Sequence, residues 1–168
     1  STVLKNISTN LNLDFHLMVK NPIEWIDHCL RSKAQAVDRI IGQIEFMESQ
    51  KEFIDKVKRG GSLAGLAVNL PTPVGNLDQS VLEKVDVVLL LSVKVGFCCQ
   101  EFDLNVLEKI KELKAIKEKL HANFKICIDG GITKELVKEM ETLGVDELTV
   151  GKRIFDPNLR ENLDLFHG

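Results

Sequence analysis

The chain has 168 residues, 44% hydrophobic and 28% charged, with a formal net charge of −3. That length buries one good core and is too short for two large ones, so one domain over residues 1–168 is expected. Mild acidity without a Lys/Arg block or an aromatic platform argues against nucleic acid. No run of about 18 apolar residues marks a membrane span. The opening Ser1-Thr2-Val3-Leu4-Lys5 lacks the layout of a signal peptide. Cys29, Cys98, Cys99 and Cys127 show neither a C-x-x-C pair nor zinc spacing, so free thiols in a reducing cytoplasm are expected.

In chain order, one phrase repeats: apolar strand, loop, helix. Residues 1–10 read as the tail of a loop and helix entering the first strand. Leu11 to Val19 alternates, with Leu13, Phe15, Leu17 and Val19 on one side and Asp14, His16 and Met18 on the other. Asn21 is a helix cap with Pro22 in the first turn, and Trp25 is assigned to the core. A second strand from Arg39 to Phe46 sets Ile41, Gln43 and Glu45 on one face. A third, Leu63 to Asn69, ends in the turn Pro71-Thr72-Pro73. The fourth, Val85 to Val93, is continuously apolar, as a strand buried on both faces should be. Val106 to His121 is a helix with Leu107, Ile110, Leu113, Ile116 and Leu120 at helical spacing. Its Lys/Glu run from Glu108 to Lys119 reads as a solvated face.

The stretch Phe124 to Ile132 carries the strongest chemical signal. A short β-branched run ends in Asp129, Gly130 and Gly131, and a helix follows from Thr133. A carboxylate at the C-terminal end of a buried parallel strand sits where α/β folds place their chemistry. The alternative is that Asp129 caps the next helix and the glycines only make the turn. Glu147 to Gly151 is the sixth strand. The strand ends fall at intervals close to the roughly 30 residues per βα unit of a (β/α)8 TIM barrel. On periodicity alone, an open doubly wound sheet fits as well.

The strand ends also carry a resemblance. Leu13-Asp14-Phe15-His16-Leu17-Met18-Val19 with Asn21-Pro22 resembles a strand of the ribulose-phosphate 3-epimerases. So do Leu66-Ala67-Val68-Asn69-Leu70-Pro71-Thr72-Pro73 and the segment from Leu91 to Phe102, which includes Gly96, Phe97, Cys98, Cys99 and Gln100. Ile128-Asp129-Gly130-Gly131-Ile132 and Val150-Gly151-Lys152-Arg153-Ile154-Phe155 are similar to the remaining motifs of that family, and the order is the same. The resemblance implies an α/β fold of (β/α)8 type, incomplete in this chain, with about six βα units and the first two strands missing.

It also implies an isomerase of pentose phosphate metabolism. A divalent metal (zinc, iron or manganese) would polarise the oxygens of D-ribulose 5-phosphate while two aspartates move a proton at C3, giving D-xylulose 5-phosphate. Carried over by position, His16 is a metal ligand, and Asp129 is both ligand and catalytic proton carrier. Met18 lines the substrate face. Gly96, Phe97, Cys98, Cys99, Gly130, Gly131, Gly151 and Lys152 meet substrate or phosphate.

Departures from the family are serious and fall on the site. Only two of four metal ligands are matched, because the others belong to a strand that this chain lacks. Gln43-Ile44-Glu45 replaces the usual His-x-Glu, Cys98 and Cys99 replace loop glycines, and Lys94-Val95 replaces Asn-Pro. Lys152 stands where a small residue is usual; a lysine there or at 94 would either hold phosphate by charge or simply be solvated. Two other readings are an inactive phosphosugar-binding or scaffold module and another phosphosugar enzyme of the same barrel. The implied partners are a phosphorylated pentulose and, through unpaired sheet edges, other copies of the chain.

Overall fold

The computed structural model describes residues 11–31, 37–96, 100–155 and 158–166. Six strands form one parallel sheet: β1 Leu13–Leu17, β2 Val37–Gln43, β3 Leu63–Val68, β4 Val87–Leu91, β5 Lys125–Asp129 and β6 Glu147–Thr149. Their order is sequential from β1 to β6. An open doubly wound sheet would reverse order at a switch point, so that reading is excluded.

The sheet is curled. Arg39 at the start of β2 makes ion pairs with Asp14 of β1 and Glu147 of β6. On a flat sheet, strands four places apart lie roughly 19 Å from one another, beyond the combined reach of an arginine and a glutamate. The contact therefore requires the sheet to wrap around a shared interior, as in a partial barrel. The TIM-type architecture holds.

Alternation sorts the side chains into two layers. Ile40, Leu66, Val88, Leu90, Ile126 and Ile128 face outward and pack beneath the helices. Over them lie α2 (Gln50–Arg59) with Phe53, Ile54 and Val57, α3 (Val106–Lys119) with Ile110 and Leu113, and α4 (Lys134–Leu143) with Met140. On the concave side Ile41, Ala67, Val87, Leu89, Leu91 and Cys127 form a second, smaller cluster. The remaining helices are α1 (Ile26–Leu30), α5 (Lys152–Phe155) and α6 (Leu159–Phe166).

Two aspartates pin the register in the same way. The Asp86 N–H donates to the Ala64 carbonyl, and its carboxylate accepts the Ala64 N–H at 2.6 Å. Asp146 repeats this on Ile126, its carboxylate accepting that N–H at 2.8 Å. Each sits just before its strand, so the first rung of the ladder is closed by a side chain where backbone alone leaves a donor unpaired.

Several expectations need correction. The strands are shorter than the apolar runs, and β2 stops at Gln43 because a 3-10 turn covers Ile44–Phe46. Glu45 is therefore on a turn, not on the strand face. Trp25 is 45% exposed, its ring tilted against His28. Asn21 has φ 50°, and its side chain donates to Glu24 at 2.7 Å instead of accepting a helix N–H. Lys109 leaves the solvated face of α3 and is buried, its Nζ donating to the carbonyls of Asn69 and Leu70 at 2.6 and 3.2 Å. The reading of residues 1–10 falls outside the described residues.

Replacing Arg39 with Met leaves Asp14 without its ion-pair partner, while Glu147 keeps Lys125. The expected loss is about 1–2 kcal/mol in urea unfolding, discounted for partial exposure. An unchanged midpoint would show that the pair across the concave side contributes nothing.

Candidate functional site

The C-terminal ends of the strands open into a groove of about 940 Å³. Among the residues singled out in the sequence, Met18, Lys94, Gly96, Asp129, Gly130, Gly131, Gly151 and Lys152 line it. They come from β1, the loop after β4, and the ends of β5 and β6, separated by up to 134 positions in sequence. Phe97, Cys98 and Cys99 lie outside the described residues. His16 is not on the groove wall but is close enough to Asp129 for each to influence the other's charge.

Asp129 ends β5 on its concave side, opposite Leu91 in the register. It does not cap α4, whose N-cap position is Thr133. Among the described residues its carboxylate has no hydrogen-bond donor. Ser92 instead fixes the backbone on either side: its Oγ lies 3.0 Å from the Asp129 carbonyl oxygen and 2.6 Å from that of Gly130. Burial raises the Asp129 carboxyl above its ordinary value, and the nearby His16 acts the other way. Such a group takes and returns a proton more readily near neutrality than an exposed aspartate does.

The glycines that follow are required by shape. Gly130 and Gly131 have φ 121° and 62°. A Cβ on Gly131 would stand 2.4 Å from the Phe102 backbone nitrogen, so no side chain fits there. The turn needs them whatever binds beside it.

His16 is half-buried, with Nε2 at 2.8 Å from Gln43 Oε1. Burial holds its imidazole below the usual histidine range, against the Gln43 bond and the charges of Asp129 and Glu45. Gln43 Nε2 donates to Glu45 at 2.7 Å, and the other Glu45 oxygen accepts the Asn69 N–H at 2.8 Å. This chain of contacts was only half visible in the sequence, since Glu45 reaches Gln43 through the turn that ends β2. Arg153 was missed altogether. It donates to the Ile132 carbonyl at 3.0 Å and lines the groove beside Lys152. Its signal was a second cation directly after Gly151-Lys152.

Charge in the groove is biased. Lys94, Lys134, Lys152 and Arg153 face Asp129 and Glu135, four cations against two carboxylates. That balance attracts a phosphate dianion. A larger concavity of about 1730 Å³ lies at the opposite end of the sheet, where the ion pairs Arg39–Asp14, Lys58–Asp86 and Lys125–Glu147 take up much of the charge.

The two thiols among the described residues do not line the groove. Cys29 and Cys127 are buried and outside any disulfide, and burial pushes the Cys127 thiol up to about 11. No cluster of three His, Cys, Asp or Glu side chains able to hold a metal occurs among the described residues. His16 and Asp129 alone offer two donors, fewer than a divalent cation takes from a protein site. As they stand, these residues do not fit a complete metal centre.

The ribulose-phosphate 3 epimerase family model matches residues 2–155. The ribulose-phosphate 3-epimerase of Chlamydia muridarum is 32% identical over 97% of this chain and 72% of its own length. That of Escherichia coli is 32% identical over 96% of this chain and 70% of its own. The Chlamydia pneumoniae enzyme is 39% identical over 90% and 65% respectively. In fold, the chain is similar to a tryptophan synthase alpha-subunit from Pyrococcus furiosus. Their TM-score is 0.63 at 18% identity, over 94% of this chain and 67% of that one.

The state of Asp129 has a thermodynamic signature. Its native pKa is raised, so the folded state binds this proton more readily than the unfolded chain. The stability it contributes is full below the ordinary value of 3.8 and is lost as pH rises through the native value. Asp129→Asn is therefore expected to melt a few degrees above the parent at neutral pH, with the gap closing towards pH 4. A variant that melts lower at pH 7 would contradict a carboxylate held without donors.

Proposed function

The chain belongs to the ribulose-phosphate 3-epimerase family, and from that footing we propose that it is an isomerase acting at C3 of D-ribulose 5-phosphate to give D-xylulose 5-phosphate. The observation that supports this most is Asp129: a half-buried carboxylate with no donor among the described residues, at the mouth of a groove with excess positive charge. In this reading Asp129 takes the C3 proton. The bonding pair moves into the C2–C3 bond as the carbonyl electrons move onto the C2 oxygen, forming an enediolate. The cations of the groove hold the phosphate and steady the developing negative charge. Gly130, Gly131 and Gly151 offer backbone N–H groups to the phosphate, and Lys152 and Lys94 supply by charge what the family pattern supplies through the loop glycines that Cys98 and Cys99 replace.

Inversion needs an acid on the other face of C3. The second carboxylate of the groove, Glu135, is exposed at the start of α4 and is not placed for it. What the described residues themselves carry is the first half of the reaction, proton removal at C3. The family's divalent metal, whether zinc, iron or manganese, belongs to this reading as an expectation about the whole site. Proton removal by Asp129 is assigned to the chain's own residues alone.

The test is turnover of D-ribulose 5-phosphate, followed together with solvent deuterium exchange at C3, with each of the three metals added and without. Asp129→Asn is expected to lower both rates at least about a hundredfold. Lys152→Ala is expected to raise KM by roughly three- to tenfold, more at low salt. Folded protein that neither turns over nor exchanges, yet still binds inorganic phosphate, would replace the enzyme with a binding module.

The same reading includes self-association in the cytoplasm. Among the described residues β1 and β6 each pair on one side only, which leaves two unpaired sheet edges. No helix of the described residues is long and apolar enough to cross a membrane. Sedimentation velocity is expected to show a species larger than the 18.9 kDa chain at high concentration. A single monomeric boundary, with both edges protected from amide exchange, would rule this out.

A further inference from the structure

We infer that Glu45, acting through Gln43, is a positioning residue that sets the tautomer of His16, so that Nε2 carries the proton and Nδ1 offers its lone pair. Three contacts carry this. Glu45 Oε1 accepts the Asn69 N–H at 2.8 Å, and its Oε2 lies 2.7 Å from Gln43 Nε2. Gln43 Oε1 lies 2.8 Å from His16 Nε2.

The chemistry of each group leaves one solution. A carboxylate only accepts, so the Gln43 atom facing Glu45 must be the amide nitrogen. The amide oxygen then faces His16, and an oxygen there requires a proton on Nε2. A neutral imidazole has one proton, which leaves Nδ1 as an acceptor. Among the described residues Nδ1 has no partner. Asp129, the charge that most influences His16 from across the site, is itself acceptor-only when ionised.

In this arrangement each Glu45 oxygen accepts one hydrogen bond, from Gln43 and from the Asn69 N–H. Lys109 steadies the relay from the far side. Its Nζ holds the Asn69 carbonyl at 2.6 Å while Glu45 holds the Asn69 N–H. The relay is independent of whether the chain turns over a pentulose phosphate, since it is read on the imidazole nitrogens and not on product.

The experiment is long-range ¹H–¹⁵N correlation of the histidine rings at pH about 8, above the ordinary histidine range. His16→Asn assigns the signals. The parent chain is expected to show Nε2 protonated and Nδ1 bare. In Glu45→Gln the residue 45 oxygen stays on the Asn69 N–H and its new NH2 turns towards Gln43. Gln43 must then present oxygen to residue 45 and nitrogen to His16, so the His16 proton is expected to move to Nδ1. Gln43→Met removes the relay, and a mixture of tautomers is expected. Glu45→Asp, which restores an acceptor, is expected to return some of the Nε2–H form. A parent chain with Nδ1 protonated would overturn the inference, as would a Glu45→Gln ring unchanged from the parent. If Glu45→Gln fails to fold, the parent spectrum and Gln43→Met decide it.

Discussion

The interior of this sheet is shared by two incompatible populations of side chains, and the two-residue alternation of a strand keeps them apart. Outward positions carry large aliphatic groups that the helices cover, such as Leu66, Leu90 and Ile126, all essentially without solvent contact. Inward positions change character along β2 and β5, while those of β4 stay apolar throughout. Charged groups stand at the starts (Asp14, Arg39, Lys125, Glu147), apolar ones in the middle, and His16, Gln43 and Asp129 towards the ends. A slip of one residue in any strand would exchange these sets, burying charge beneath a helix and turning aliphatic groups into the groove. The aspartates at 86 and 146, each holding both polar groups of one residue on the neighbouring strand, guard against that slip.

Curling the sheet turns this sorted interior into a site. Arg39 draws β2 towards β6 at one end, where the charges satisfy one another. At the other end the strand termini converge without such pairing, and Asp129 is left half-buried with no donor among the described residues. A protein that spent every polar group on stability would have paired it. The two ends therefore differ: ion pairs gather where the strands start, and Asp129 stands without a donor among the described residues where they end.

Much of this was legible from residue order alone. Strand ends, the Asp-Gly-Gly turn and the family resemblance each lie within a few consecutive residues, where backbone propensity and local chemistry act directly. The placement of Met18, Asp129, Gly130, Gly131, Gly151 and Lys152 around one groove follows once the strands are parallel and sequential, because equivalent ends then fall at one edge. Errors arose where a local rule met a distant partner. Lys109 looks like one more cation on a solvated helix, but the carbonyls of Asn69 and Leu70 hold its amine inside. Trp25 looks like core, yet the short helix it belongs to leaves the ring beside His28 and open to solvent.

The sequence by itself determined the alternation of strands and helices, the parallel sheet and the carboxylate at the end of β5, because each depends on side-chain periodicity or turn chemistry within a short window. Only the tertiary structure decided that the sheet curls and is not doubly wound. It alone joined Arg39 to Glu147 across 108 positions and linked Glu45 to His16 through the amide of Gln43. Hydrogen bonds and ion pairs act over about 3 Å in space whatever the separation along the chain. Which groups come that close is settled by packing, and no local pattern of residues records it.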